Sequence, residues 1–237
     1  MKNSICIIPL RSNSKRLKNK NIKKINNIPL CIYSINQAIK SKIFNRIIIA
    51  SDSIKYFNVI KRYLSKEKKN EQKNIYYYLR SKNSARSNSQ TEIVLKEILD
   101  KEILHKETNC KYVFMIQATS PLIIAKDILN CKKSLLKNNF DSVFTSYKDD
   151  KFVWINEKKL KPINYNVNKR PMKQKFINNI FNENGAIYAF KLKGFLKANN
   201  RLFSKIGTIV MPKNRSIDID TETDFLELKK LLKTIKE

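Results

Sequence analysis

Short, β-branched apolar runs alternate along this chain with stretches whose apolar positions recur at helical spacing. The runs 4–10 (SICIIPL), 46–51 (RIIIAS), 74–79 (NIYYYL), 111–117 (KYVFMIQ), 142–147 (SVFTSY), 186–191 (AIYAFK) and 206–211 (IGTIVM) read as strands. Between and after them, 30–41, 53–65, 91–104, 125–138, 193–199 and 222–236 read as helices. Ile128, Leu129, Cys131, Leu135 and Leu136 show helical spacing, and Thr221 followed by Glu222 and Asp224 marks a helix start. Strands this continuously apolar, alternating with helices, predict an α/β fold with a mostly parallel, doubly wound sheet covered on both faces. Such a sheet takes ligands just beyond the carboxyl ends of its strands.

One stretch breaks the rhythm. Residues 148–180 are polar and lysine-rich, with Pro162 and Pro171, and read as an insertion holding one hairpin. A lid or subunit contact within a single domain spanning 1–237 accounts for it better than a second domain. The charged run 66–74 (KEKKNEQKN) reads as a solvated connection. No apolar run approaches the roughly eighteen residues that cross a bilayer, and the first strand begins at the N-terminus, where no signal peptide is expected. Cys6, Cys31, Cys110 and Cys131 lie far apart, without ligand spacing or disulfide density, and Cys6 and Cys31 fall in apolar segments as small core residues. A soluble, cytoplasmic protein is the expectation.

Charge changes the picture less than its size suggests. Lys and Arg number 49 against 20 Asp and Glu, a net charge of +29 over 237 residues. Such an excess can serve nucleic acid. Here, however, the cations are spread along the whole chain, Lys, Asn and Ile are abundant everywhere, and Gly occurs three times. Compositional drift towards residues with A/T-rich codons explains this better than a nucleic-acid module, which concentrates its cations and interleaves aromatics.

Position says more than the total. The first strand ends at Leu10, and Arg11, Lys15, Arg16, Lys18, Lys20, Lys23 and Lys24 follow at once. They fall at the ligand edge of the expected sheet. Arg11, Ser12, Ser14, Lys15 and Lys20 together offer amides, hydroxyls and cations to one polyanion, as a nucleoside triphosphate requires. No Walker or GxGxxG pattern accompanies them, so charge alone leaves a solvated basic loop open. Near the C-terminus, alternation in 216–220 (SIDID) puts Asp218 and Asp220 on one side and Ile217 and Ile219 on the other. Two acids so placed suit a hard cation, or equally a helix-start cluster with Thr221 and Asp224. The single histidine, His105, sits at a lysine-flanked helix end, so no histidine-based mechanism is expected.

The order of several short segments narrows these alternatives. IIPLRSNSK, LKNKNI, IPLCIYSINQAIKS, FNRIIIASDS, IQATSPL (116–122), ENGAIYAF (183–190) and SIDIDTETDF (216–225) together resemble the acylneuraminate cytidylyltransferases, the CMP-sialic acid synthetase family. The resemblance spans nearly the whole chain. It implies a Rossmann-like nucleotidyltransferase that joins CMP from CTP to a nonulosonic (sialic-type) acid, with Mg²⁺ and as a homodimer. It further implies nucleotide contacts from Arg11, Ser14, Lys15, Lys20, Asn21, Arg80, Ser89, Thr91 and Gln117. Sugar contacts are implied for Gln117, Arg170, Lys173 and Asn184, metal ligation for Asp218 and Asp220, and catalytic roles for Arg11, Lys20 and Asp220. For Thr91 a helix N-cap is an equal alternative, and Asp52 either meets ligand or caps the next helix. Departures from the family pattern occur at Arg16 (often Gly), Lys18 (often Pro), Ser87 (often Asp), Ala118 (often Pro) and Ile123 (often Arg). Only Lys173 and Gln174 remain of an Arg-Gln-x-Leu-Pro element. Asn13 is expected to supply the positive φ of a tight loop. Transfer to another sugar acid such as 3-deoxy-manno-octulosonic acid, or CTP binding without turnover, are the alternatives within this class.

Overall fold

The computed structural model of the chain describes residues 3–67, 74–86, 88–104, 109–176 and 179–234. Ser87, His105, Ile177, most of the 66–74 connection and the last residues of the expected 222–236 helix lie outside them. The strands are β1 (Ser4–Leu10), β2 (Lys24–Ile25), β3 (Ile28–Pro29), β4 (Phe44–Ser51), β5 (Ile75–Leu79), β6 (Tyr112–Ile116), β7 (Ser142–Lys148), β8 (Trp154–Asn156), β9 (Leu160–Pro162), β10 (Phe181–Lys191) and β11 (Ile206–Val210). The helices are α1 (Leu30–Ser41), α2 (Ile54–Glu67), α3 (Lys82–Ala85), α4 (Thr91–Leu104), α5 (Ala125–Lys137), α6 (Leu192–Ala198) and α7 (Glu222–Thr234).

Seven strands form one sheet in the order β11-β7-β10-β6-β1-β4-β5. Every pairing in it is parallel except those of β10, which runs antiparallel to both β6 and β7. Strand alternation divides the core between the two faces. Cys6, Ile8 and Leu10 point with Ile47 and Ile49 towards α1, α2 and α5, whereas Ile5 and Ile7 point with Ile48 and Ala50 towards α4 and α6. Each of these isoleucines and leucines is buried, and burial of one such side chain stabilises the fold by roughly 1.5–3 kcal/mol. Cys6, Cys31 and Cys131 are buried and free, in keeping with small core residues. No helix among the described residues is long and apolar enough to cross a membrane.

Asparagine does much of the turning in this glycine-poor chain. Asn19, Asn26, Asn27, Asn139 and Asn199 all have positive φ, a region that Asn tolerates because its short polar side chain bonds locally. Asn26 and Asn27 form the two-residue turn between β2 and β3, a hairpin that the sequence reading passed over. The positive φ expected at Asn13 is found instead at Asn19, where the chain enters a 3-10 turn over Lys20–Ile22. Gly185, with φ of 72°, sits where the β10–β7 register shifts between Glu183 and Tyr188; a bulge of this kind needs a residue without Cβ strain. In the 148–180 insertion, β8 and β9 form the one expected hairpin. Phe152 packs there against Tyr165 and Phe176.

Candidate active site

The carboxyl ends of β1, β5 and β6 open into one cleft of about 380 Å³, within the usual size range of small-molecule sites. Arg11, Ser14, Lys15, Lys20, Asn21, Arg80, Ser89, Thr91, Gln117, Asp218 and Asp220 all line it. Five cations (Arg11, Lys15, Arg16, Lys20 and Arg80) face two carboxylates there, a field that favours a polyanion.

The turn after β1 is held from both sides. Asp52, just past β4, accepts from the backbone N–H of Ser12 at 2.8 Å and from its hydroxyl at 3.0 Å. Asp52 thus anchors the turn. Tyr56 donates to the Ser12 carbonyl at 3.2 Å and to Asn19 Oδ1 at 3.3 Å, and burial with the nearby Asp52 charge pushes its pKa up to about 12. Leu17 is buried beneath the turn with Leu30, Ile219 and Phe225. Asn21 donates from Nδ2 to the Arg11 carbonyl at 3.0 Å.

The acidic segment reaches the same cleft from the other end of the chain. Residues 216–220 form no strand, but the Ile219 N–H donates to the Thr119 carbonyl at 2.9 Å, and Ile219 is fully buried. Alternation therefore leaves Asp218 and Asp220 facing the cleft. The helix-start role belongs to Asp224, whose Oδ2 accepts from the N–H groups of Asp220 (2.9 Å) and Thr221 (2.7 Å), while Thr221 Oγ1 accepts from the Asp224 N–H at 3.2 Å. This is a capping box, and it leaves the carboxylates of Asp218 and Asp220 out of the helix cap. Lys20 Nζ lies 2.5 Å from Asp220 Oδ1 and 3.0 Å from the Ile219 carbonyl, and Arg16 pairs with Asp220 Oδ2. Asp218 is exposed at the cleft, yet loss of water around its carboxyl, with the Asp220 charge adding, raises its pKa above the usual carboxylate range. The Thr119 hydroxyl and Lys20 oppose that rise.

On the opposite wall, Arg80 is buried and donates to the Ser84 carbonyl; burial lowers its pKa, with Asp52 opposing. Ser89 Oγ donates to the Asn83 carbonyl at 2.5 Å. Thr91 is the first residue inside α4, beyond the N-cap position. Asn21 Oδ1 and Arg80 Nε are buried without a protein partner. Leaving such atoms unpaired costs on the order of 1–3 kcal/mol each, which a ligand in the cleft can offset. Among the described residues no three His, Cys, Asp or Glu side chains gather as a metal cage; the carboxylates lining this cleft are those of Asp218 and Asp220.

Three residues expected at a sugar lie elsewhere. Arg170 and Lys173 line a separate hollow with Asp150, Lys151, Phe152 and Pro171 that shares no residue with the cleft. Arg170 stacks over Phe152 at 4.5 Å, and Lys173 pairs with Asp150 at 2.9 Å. Asn184 is buried: its Oδ1 accepts from Thr145 Oγ1 at 2.7 Å and its Nδ2 donates to Ser216 Oγ at 3.0 Å. It ties the β10 bulge to the acidic segment. The sequence reading passed over Asn13, Leu17 and Thr119 as cleft residues and gave Arg16 no role. Asn13, Leu17 and Thr119 all lie inside the segments IIPLRSNSK, LKNKNI and IQATSPL, which is the signal that could have found them.

Comparison with known proteins follows the same geometry. A family model described as cytidylyltransferase matches residues 5–231. The chain is 28% identical over 238 residues to the pseudaminic acid cytidylyltransferase of Campylobacter jejuni, covering 98% of this chain and 96% of that protein. It is 28% identical over 228 residues to the CMP-N,N'-diacetyllegionaminic acid synthase of the same species, covering 93% and 91%. Among solved structures, a CMP:2-keto-3-deoxy-manno-octonic acid synthetase complexed with CTP superposes with a TM-score of 0.66 at 13% identity, covering 98% of each chain. That last likeness concerns the fold.

Proposed function

This chain belongs to the cytidylyltransferase family, and on that premise we propose that it transfers CMP from CTP to a nonulosonic acid with release of pyrophosphate. It is a nucleotidyltransferase, and relatives that act on pseudaminic and legionaminic acids along nearly their full length support this substrate class. The observation that carries the reading is the meeting of Lys20 with Asp220, 200 positions apart, in a cation-rich cleft with orphaned polar atoms.

In the reaction the anomeric hydroxyl oxygen bonds to the α-phosphorus as the bond from that phosphorus to the bridging oxygen breaks, and pyrophosphate leaves. Little covalent work falls to the protein; positioning and charge neutralisation dominate. Arg11, Ser14, Lys15 and Lys20 take the triphosphate and the charge that moves onto the leaving group. Asn21, Arg80, Ser89 and Thr91 hold the nucleoside, and Gln117 contacts both nucleotide and sugar. Asp218 and Asp220 are the residues that would hold a Mg²⁺, since paired carboxylates suit a hard cation. When bound, that ion would neutralise phosphate charge and polarise the α-phosphate. We assign the hydroxyl proton to one carboxylate of the pair.

Arg170 and Lys173 can meet a sugar carboxylate only if their insertion approaches a cleft, by movement or from a second copy of the chain. The homodimer we propose supplies the second route, and Asn184 shapes the neighbouring backbone. The test is incubation with CTP, Mg²⁺ and, separately, N-acetylneuraminic, legionaminic, pseudaminic and 3-deoxy-manno-octulosonic acids while pyrophosphate is measured. Turnover with one of the first three is expected. Silence with all four, or turnover with the octulosonic acid alone, would overturn the assignment.

A further inference from the structure

Both carboxylate oxygens of Asp220 are engaged by cations: Lys20 holds Oδ1 and Arg16 holds Oδ2. The two cations are built differently. The Lys20 side chain is 17% exposed and is also held by the Ile219 carbonyl, whereas the Arg16 side chain is 68% exposed and reaches Asp220 across the mouth of the cleft. An exposed pair of that kind is weak, so Arg16 can leave at little cost.

Local charge gives the contact a consequence. With Asp218, Asp220, Lys20 and Arg16 together, two negative charges meet two positive ones, and a lone divalent cation finds no net attraction and no free oxygen on Asp220. A polyphosphate reverses the balance, since it draws Arg16 away and supplies oxygens of its own.

We infer that Arg16 is an exchangeable positioning residue: it covers Asp220 in the nucleotide-free enzyme, keeps free divalent cations out, and turns to the polyphosphate when nucleotide and metal enter together. This rests on the reading that the acidic pair receives a metal. Arg16 thereby has a role distinct from that of Lys20, which stays anchored by the Ile219 carbonyl.

The test needs no sugar and no turnover. Binding of Mn²⁺ without nucleotide is measured by electron paramagnetic resonance for the wild type, Arg16→Gly, Arg16→Lys and Arg16→Gly/Asp220→Asn. Affinity for CDP is measured in EDTA by calorimetry. Arg16→Gly should bind Mn²⁺ several-fold more tightly than the wild type. The double variant should lose that gain, Arg16→Lys should stay near the wild type, and Arg16→Gly should bind metal-free CDP several-fold more weakly. Unchanged Mn²⁺ affinity in Arg16→Gly, a gain that survives loss of Asp220, or unchanged CDP affinity would each overturn the inference. Inactivity towards every nonulosonic acid would instead count against the proposed reaction and leave this binding result readable.

Discussion

Asp220 joins the two ends of the chain, and its chemistry is legible one residue at a time. Alternation in SIDID put both acids on one side in the sequence, and burial of Ile219 fixes that side towards the cleft. What the pattern left open was whether these acids cap a helix. Asp224 does the capping, a competition that only coordinates resolve, because any acid within the first turn suits that task. Replacing Asp220 by Asn should reduce pyrophosphate release at least about a hundredfold. Its ion pairs are partly exposed, so thermal unfolding should show a loss of about 1 kcal/mol or less. Asp52 teaches the converse. A carboxylate at the ligand edge left ligand contact and helix cap open, and both its oxygens accept from Ser12, which fixes the turn.

Among the elements, those with long apolar periodicity matched their expected spans within a few residues, since burial on two faces dictates both period and length, except that β10 begins at Phe181, ahead of the apolar run expected from 186. The elements passed over are short and depend on turn chemistry. The β2–β3 hairpin turns on Asn26-Asn27, a weaker relative of the Asn-Gly signal. The approach to the acidic pair is set by a tertiary contact without local signature. Arg215 forks onto Asp127, at 2.6 Å and 3.1 Å, and reaches the Leu122 carbonyl at 3.2 Å. Asp127 also accepts from the N–H of Ile124 at 2.9 Å, which fastens the start of α5 to the turn before the acids. Arg215→Ala leaves a nearly buried carboxylate without its cation and should cost roughly 3 kcal/mol in urea unfolding. Gly185→Ala meets open space but keeps φ at 72°, so about 1 kcal/mol is expected, as strain alone.

At the scale of the whole molecule, alkaline stability is set by the buried thiols. Burial raises the pKa of Cys6 and Cys131 and pushes Cys31 up to about 12, whereas an unfolded thiol ionises near 8.5. Above that pH the folded state holds protons that the unfolded state has released, so stability falls as pH rises. Lys132 acts with the opposite sign: burial lowers its pKa to about 8, and the cost of burying its charge is relieved between about 8 and 10. Three thiols outweigh one amine. The urea midpoint should decline between pH 8.5 and 10, more gently in Cys31→Ala and more steeply in Lys132→Met. The net charge of +29 also destabilises the compact state by self-repulsion, and the melting temperature should rise as NaCl increases from low ionic strength.

A crystal structure with CDP bound is the most direct measurement of whether the amino-terminal turn and the late acidic pair serve one nucleotide. The diphosphate should lie within hydrogen-bond reach of Ser14 and Lys20, with the base beside Arg80 and Ser89 and Asp220 released by Arg16. A nucleotide seated outside this cleft, or one whose phosphates leave Lys20 and the turn untouched, would contradict the account.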